Sequence, residues 1–302
     1  MSAVIRVRNL SRDFREVRAV DDLSFTVPAG EVYGFLGQNG AGKSTTIRML
    51  LSLIRPTAGR IEIFDLDLER HRHKIMRSVG AIIEKPDLYK FLTALENLRI
   101  FSAMSGNRHS EKQLLHQLEL VGLRERAHSK VQTYSQGMKQ RLGIAVALVH
   151  DPDLIILDEP MNGLDPQGIA DVRKLIVHLA HDRGKTVFVS SHLLNEMELI
   201  ADSMLIINKG KKIAEGSKEE LLNPTTAVVE VITGDASRAT ALVHQSRWSA
   251  FALPAGEGAL RFELEKARIP ELTKELVEMG IPIHSIRPRH SLEDLFLSLT
   301  AH

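Results

Sequence analysis

A glycine-rich segment in the first sixth of the chain has the composition and spacing of a phosphate-binding loop. It fits the pattern GxxxxGK[ST] and runs Gly37, Gln38, Asn39, Gly40, Ala41, Gly42, Lys43, Ser44, Thr45. Glycine permits the positive φ angles that turn successive N–H groups toward an anion. Lys43 would reach the terminal phosphates, and the Ser44 hydroxyl would hold Mg²⁺. The alternative is a glycine turn without a ligand.

The flanking residues favour phosphate binding over a plain turn. Residues 31–36 are a short apolar run of strand character, and residues 44–53 carry apolar side chains at helical spacing. A strand, a glycine loop and a helix in this order place backbone N–H groups and the positive end of the helix dipole at one point.

Two later apolar strands end in side chains that suit the same chemistry. Residues 154–157 lead to Asp158 and Glu159, and residues 187–190 lead through Ser191 to His192. Ligands of parallel α/β sheets bind at the carboxyl ends of the strands, so these side chains belong beside the phosphates. We expect Asp158 to hold Mg²⁺ through water, Glu159 to orient or deprotonate a water molecule, and His192 to contact the terminal phosphate. The alternatives are a loop cap for the acidic pair and a structural role for the histidine.

A polar turn at residues 131–141 indicates a second anion site. Ser135, Gln136 and Gly137 lead there into a helix with apolar residues at 142, 144, 145 and 148. Backbone N–H groups at a helix N-terminus attract anions.

Together these motifs resemble the ATP-binding subunits of ABC transporters, in the order of that family and over residues 4 to about 220. The matches are the Walker A loop at 37–45, the LSGGQ signature at 135–140, Walker B at Asp158-Glu159, the D-loop at 162–165 and the switch histidine at His192. The resemblance implies that the chain binds ATP and Mg²⁺ and hydrolyses ATP. It adds Asp165 and Phe14 to the nucleotide-binding residues, with Phe14 stacking on adenine; a core position for Phe14 is the alternative.

Two positions depart from the common pattern of that family. Gln136 stands where the signature has a second glycine, and Glu84 stands where a glutamine normally contacts Mg²⁺ and the attacking water. Carboxylate oxygen is an acceptable Mg²⁺ ligand, so we predict that Glu84 takes part in the metal site. The alternative is a solvated strand end. In both departures, and in its C-terminal extension, the chain resembles the drug, bacitracin and lantibiotic exporter ATPases.

The predicted fold is α/β: a β-rich N-terminal subdomain, a RecA-like core and a helical subdomain, followed by a small α+β domain. We place the cassette at residues 1–222, its helical subdomain at about 88–150 and the C-terminal domain at 223–302. The helical block begins at Thr93 because Thr93 and Glu96 form a capping box. In the C-terminal domain we predict strands at 227–232, 260–264 and 281–286, and helices at 237–243, 269–279 and 292–299.

The composition argues against nucleic-acid binding and excludes sites that need cysteine. The 302 residues include 39 basic and 38 acidic side chains, so the net charge of +1 does not suggest nucleic-acid binding. There are no cysteines, which excludes disulfides and thiolate metal sites. No signal peptide and no apolar run of transmembrane length are visible.

The resemblance therefore implies a cytoplasmic ATPase that powers a membrane exporter. It would pair head to tail with a second copy of itself on binding ATP, and would be held at the inner face of the membrane by a separate transmembrane permease. The alternatives are an importer ATPase, a soluble ABC-type ATPase and a nucleotide-binding regulator that does not hydrolyse ATP.

Overall fold

The computed structural model describes residues 3–222, 226–256 and 259–289, together with Leu292 and Phe296. The chain forms two compact units, Met1–Lys218 and Glu219–His302. No helix among the described residues is long and apolar enough to cross a bilayer.

Residues 3–218 of the first unit contain ten strands and seven α-helices. The strands are β1 (Ala3–Phe14), β2 (Val17–Pro28), β3 (Val32–Leu36), β4 (Ala58–Ile63), β5 (Leu66–Asp67), β6 (Val79–Ile82), β7 (Leu154–Asp158), β8 (Thr186–Ser191), β9 (Ser203–Asn208) and β10 (Lys211–Ser217). The helices are α1 (Lys43–Leu50), α2 (Leu68–Met76), α3 (Ala94–Met104), α4 (Glu111–Leu120), α5 (Gln136–Ala147), α6 (Pro166–Val177) and α7 (Leu194–Ile200). A further short helix, α8 (Lys218–Leu222), begins at the last residue of this unit.

The central sheet of the first unit carries the predicted site. It has six strands in the order β10-β9-β3-β8-β7-β6, parallel except for the pair β9 and β10. Strands β3, β7 and β8 are buried at every residue, as interior strands of a parallel sheet are. Because they run in parallel, β3, β7 and β8 bring their carboxyl ends to one edge of the sheet.

A second, antiparallel sheet packs against the first through aromatic side chains. Its order is β2-β1-β4-β5. Phe25 on β2 lies 6.2 Å from the ring of Tyr33, 6.0 Å from Phe35 and 6.3 Å from Phe188, measured between ring centroids. This contact fixes the β1–β2 hairpin relative to the strands that lead into the site.

The helical block consists of α3, α4 and α5, with two short 3-10 turns between α4 and α5. It begins as predicted: Thr93 caps α3, its hydroxyl accepts from the Glu96 N–H, and the Glu96 carboxylate accepts from the Thr93 N–H at 2.7 Å. Ser110 and Gln113 form an equivalent capping box at α4. After α6 the chain continues as one turn of π-helix at His178–Asp182.

The second unit has its own antiparallel sheet and core. Its strands are β11 (Thr226–Thr233), β12 (Ala252–Gly256), β13 (Ala259–Glu265) and β14 (Ile283–Arg289), and its helices are α9 (Ala236–His244) and α10 (Ile269–Glu278). The strand order β12-β13-β11-β14, with a helix after the first and third of these strands in the chain, is a split βαβ arrangement. Strand β12 was not predicted from the sequence. The predicted helix at 292–299 lies outside the described residues except for Leu292 and Phe296.

Candidate nucleotide-binding site

The glycine loop joins β3 to α1, as predicted, and two of its glycines lie so close to backbone oxygen atoms that a Cβ would clash with them. A Cβ on Gly37 would lie 2.6 Å from the carbonyl oxygen of Ile207, and a Cβ on Gly42 would lie 2.5 Å from that of Ala19. Gly40 and Gly42 have φ values of 82° and 105°. Only glycine fits such positions without strain.

The loop presents backbone N–H groups at the start of α1. Gly42 is the N-cap of this helix and supplies no side-chain acceptor. Gln38, Asn39 and Gly40 are exposed, Ala41 is buried, and Ser44 and Thr45 are half-buried in the first helical turn. The uncapped N–H groups of the first turn need an acceptor, and an anion supplies one.

Lys43 points back into this loop and is 6% exposed. Its ammonium donates to the carbonyl oxygens of Gly37 at 2.6 Å and Gln38 at 3.2 Å. It also lies 3.2 Å from Oε1 of Glu159. The lysine of the loop and the acidic pair after β7 therefore share one site.

Asp158, the last residue of β7, is 1% exposed. Its Oδ1 accepts a hydrogen bond from the hydroxyl of Ser190, the residue paired with it on β8. Its Oδ2 is buried and has no hydrogen-bond partner among the described residues. A buried carboxylate oxygen without a partner is costly, and a bound cation would satisfy it.

Glu159 follows in a left-handed conformation, with φ of 49°. Its N–H donates to the hydroxyl of Ser190 at 3.0 Å and is 3.2 Å from the Ser190 carbonyl oxygen. Positive φ in a residue with a side chain is uncommon, and such strain clusters at functional sites. The turn directs the carboxylate to a position between Lys43 and His192.

His192, two residues after Ser190, completes the group. Its Nδ1 lies 2.7 Å from Oε2 of Glu159, and its backbone N–H donates to the same oxygen at 3.4 Å. Lys43, Glu159 and His192 therefore form a continuous polar chain, with Asp158 attached through Ser190.

Phe14 ends β1 at the tip of the β1–β2 hairpin, opposite Val17. It is 47% exposed. The ring therefore lies at the surface rather than in the core, and its role as a base platform stays a prediction.

The signature turn begins α5. Ser135 is the N-cap, and its hydroxyl accepts from the Met138 N–H at 3.2 Å. Ser135 and Gln136 are exposed, whereas Gly137 is buried where a Cβ would lie 3.4 Å from the Cα of Gly168 on α6. The preceding residue, Tyr134, anchors the turn: its hydroxyl donates to the Arg126 carbonyl oxygen at 2.6 Å, and burial raises its pKa.

Asp165 is exposed and caps α6, where its Oδ1 accepts from the Gly168 N–H at 3.0 Å. The close approach of Gly137 to Gly168 brings the starts of α5 and α6 together. Among the described residues, no hydrogen bond joins these two helix starts to Lys43, Glu159 or His192.

The polar contact that the structure shows for Glu84 is with Arg48, and not with Lys43, Glu159 or His192. Glu84 follows β6 with φ of 60°, and its carboxylate accepts from Arg48 on α1 at 2.9 Å. Both side chains are exposed, Glu84 to 66%. Its predicted contact with Mg²⁺ stays a prediction.

Three residues that contact the predicted site residues were not predicted from the sequence. Ser190 bonds to both Asp158 and Glu159, and Gly210 holds the loop by donating its N–H to the Ala41 carbonyl oxygen at 3.0 Å. Arg12 packs on the Phe14 ring. Ser190 had a detectable signal, because a hydroxyl ends the strand next to the acidic pair.

The site combines a glycine loop between a strand and a helix, a buried lysine within that loop, and an acidic pair at the end of β7, a parallel strand of the same sheet. These features define a P-loop nucleotide hydrolase. A helical block is inserted between β6 and β7, and its helix α5 presents a second N-terminus. This insertion restricts the class to P-loop hydrolases that carry such a block.

The chain belongs to the ABC transporter family and is an ATPase. The family model described as "ABC transporter" matches residues 20–162. The chain is 42% identical over 300 residues to the bacitracin transport ATP-binding protein BcrA of Bacillus licheniformis, covering 99% of this chain and 98% of that protein. It is 40% identical over 226 residues to the lantibiotic transport ATP-binding protein SrtF of Streptococcus pyogenes, covering 73% of this chain and 96% of that protein.

Solved ATP-binding cassettes share the fold. An ATP-binding subunit of an ABC transporter is 32% identical, with a TM-score of 0.64 over 72% of this chain and 91% of that one. The cassette MJ0796, in a dimeric post-hydrolysis state with ADP and Pi, is 26% identical, with a TM-score of 0.63 over 71% of this chain and 98% of that one.

Proposed function

We propose that ATP is hydrolysed at the cluster of Lys43, Glu159 and His192. The observation that carries this proposal is the Glu159 carboxylate, held in a strained turn between a cation of the phosphate loop and a histidine. Lys43 neutralises charge on the terminal phosphates. Glu159 accepts the proton of the attacking water as general base, and His192 orients that carboxylate and hydrogen-bonds the γ-phosphate.

The remaining predicted residues bind the nucleotide around this centre. The N–H groups of the Gly37–Thr45 loop cradle the phosphates, and Phe14 stacks on adenine. Asp158 and Ser44 would hold Mg²⁺, with Glu84 as a third candidate. The Oδ2 of Asp158, which has no hydrogen-bond partner in the described part of the chain, supports this assignment. When bound, Mg²⁺ supplies charge neutralisation on the β- and γ-phosphates.

We further propose that two copies of the chain close head to tail on ATP. Ser135, Gln136 and Gly137 of one copy, with Asp165, would complete the phosphate site of the other. The exposure of Ser135 and Gln136 at the start of a helix supports this arrangement. ATP then acts as glue between the copies, and its hydrolysis releases them.

The coupled process that we propose is export across a membrane of a peptide antibiotic or a similar compound. It rests on the names of the relatives, which are bacitracin and lantibiotic transport proteins. The chain would lie at the inner face of the cell membrane, bound to a separate permease. We propose no nucleic-acid partner.

Co-expression with the product of the neighbouring reading frame tests the transport proposal. We expect that frame to encode about six apolar helices of spanning length and its product to retain this chain in washed membranes. Sensitive cells that carry both genes should gain resistance to bacitracin or a lantibiotic, and Lys43→Ala should abolish it. Retention without any resistance would contradict the assigned substrate class, and no retention would contradict the pairing with that permease.

A further inference from the structure

Arg12 lies on one face of the Phe14 ring. The two residues are two apart on β1, and Cζ of Arg12 is 4.7 Å from the centroid of the ring. This distance is within the range at which a guanidinium is attracted to an aromatic face.

The guanidinium is also fixed at its far end. Its Nη1 donates to the carbonyl oxygen of Arg55, in the turn between α1 and β4, at 2.9 Å. The strand beside it is tied to the same turn, because the Asp13 N–H donates to the Thr57 hydroxyl at 3.0 Å and the Thr57 N–H donates to the Ser11 carbonyl oxygen at 2.8 Å. Arg12 therefore has little freedom to leave the ring.

The contact with the Phe14 ring also stabilises the buried Nε group of Arg12. Nε is buried and has no hydrogen-bond partner among the described residues. A buried N–H without an acceptor is costly, and contact of the cation with the π-face of Phe14 offsets part of that cost.

We propose that Arg12 is a positioning residue for the nucleotide base. It covers one face of Phe14 and holds the ring, so that only the opposite face is offered to adenine. This inference rests on the proposed function, in which Phe14 stacks on the base. A ring that is already held loses less conformational freedom when the base stacks on it, so affinity for the base rises.

The alternative arrangement gives the opposite sign. If Arg12 covered the face that adenine needs, the guanidinium would compete with the base, and its removal would strengthen binding. The direction of the change therefore decides between the two arrangements.

The test compares binding of MgATP with binding of tripolyphosphate, which has phosphates but no base, by titration calorimetry on the full chain. Arg12→Met removes the guanidinium and keeps an unbranched stem. We expect it to weaken MgATP binding about threefold to tenfold and to leave tripolyphosphate binding unchanged. Arg12→Lys should fall between Met and the parent, because it keeps the charge but loses the planar layer. Unchanged or tighter binding of MgATP would overturn the inference.

Two control variants distinguish failure of the proposed role of Arg12 from failure of the proposed role of Phe14. Arg8→Met removes the same charge from an exposed position on the same strand and should change neither affinity. Phe14→Ala should weaken MgATP binding but not tripolyphosphate binding, and in that background Arg12→Met should have no further effect. If Phe14→Ala left MgATP binding unchanged, the base platform and the inference would both fail. If Phe14→Ala weakened it and Arg12→Met did not, or if the two effects were additive, only the role of Arg12 would fail.

Discussion

Nδ1 of His192 lies 2.7 Å from Oε2 of Glu159, although 33 residues separate them in the chain. The contact joins the residues that follow two adjacent parallel strands, β7 and β8. Because Oε1 of the same carboxylate is 3.2 Å from the Lys43 ammonium, Glu159 is restrained from two sides. A carboxylate held in this way can serve as a base in a defined direction.

Replacing Glu159 by Gln should separate binding from hydrolysis. The amide keeps the shape of the side chain but cannot accept the proton of water, so we expect ATP binding to persist while turnover falls by roughly two to four orders of magnitude. Phosphate release and nucleotide titration measure the two quantities. Glu125→Gln, at an exposed glutamate in the helical block, is the matched control. Parental turnover in Glu159→Gln would disprove its role as base.

Ser190→Ala should weaken the positioning of Asp158 and Glu159 without changing either residue. The hydroxyl of Ser190 donates to Asp158 and accepts from the Glu159 N–H, and each such bond contributes about 1 kcal/mol. We expect turnover to fall roughly tenfold and the Mg²⁺ requirement to rise, since Asp158 loses the bond that locates it. Ser191→Ala is the comparison, because that hydroxyl bonds to the Leu193 N–H instead. Equal kinetics in the two variants would remove Ser190 from the site.

Glu84 can be tested against its partner Arg48. If Glu84 contacts Mg²⁺ or its water during turnover, Glu84→Ala should lower activity at limiting Mg²⁺ with little change in stability, and Glu84→Gln should be milder. Arg48→Ala removes the exposed ion pair but leaves the carboxylate, so its Mg²⁺ titration should match that of the parent. If Glu84→Ala and the parent gave the same titration, Glu84 would be a solvated strand end.

Because Glu31 is partly buried, it should make the stability of the folded protein fall as the pH rises. Burial raises the pKa of Glu31, a hydrogen bond from Ser203 opposes the shift, and Asp202 adds to it. The folded state therefore holds the Glu31 proton more strongly than the unfolded state does, and stability is lost as pH rises through the raised pKa. We expect Glu31→Gln to raise the melting temperature at pH 7 and the gain to shrink as the pH falls through that pKa.

Glu96 is the control of opposite sign for this measurement. Its hydrogen bonds with the backbone and hydroxyl of Thr93 lower its pKa. The stability that it contributes is present above the unfolded pKa and is lost as the pH falls through the folded one. Glu96→Gln should therefore lower the melting temperature at pH 7, and the loss should shrink in acid. Curves of the same sign for the two variants would contradict one of the two assignments, and curves that do not change with pH would contradict both.

The elements that carry the phosphate chemistry could be predicted because their signals are local. An apolar strand, a glycine loop and a capping box each depend on a few neighbouring residues, and β3, β7, β8 and the start of α3 lie where the pattern indicates. In the second unit the elements predicted up to residue 286 follow the same rule, except that β12 carries no clear alternation and was missed.

The contacts that complete the site depend on strand register, which local patterns do not contain. The pairing of Asp158 with Ser190, and the approach of the Ala19 carbonyl oxygen to Gly42, both follow from which strands are neighbours. Likewise the partner of Glu84 is 36 residues away on α1. Strands β9 and β10 were not predicted; β9 is a short apolar run, and β10 is a polar edge strand.

In the proposed dimer two chains form each ATP site, with Ser135 of one facing the phosphates of the other. Sedimentation of Glu159→Gln with MgATP tests it. We expect a dimer that dissociates when ATP is removed and that Ser135→Asp abolishes, because aspartate still caps α5 but places a negative charge at the phosphates. Ser135→Arg should abolish it by filling the same position with a bulky cation.

The matched control in that experiment is Ser135→Asn, a comparable helix cap without a charge, which should retain more pairing than Ser135→Asp. A mixture of Lys43→Ala chains with Ser135→Asp chains should recover some pairing, since one of the two composite sites is then intact. An ATP-dependent dimer lost with Ser135→Asp and partly restored in the mixture is the predicted result. Monomers under all conditions, or a dimer unaffected by Ser135→Asp, would contradict the composite site.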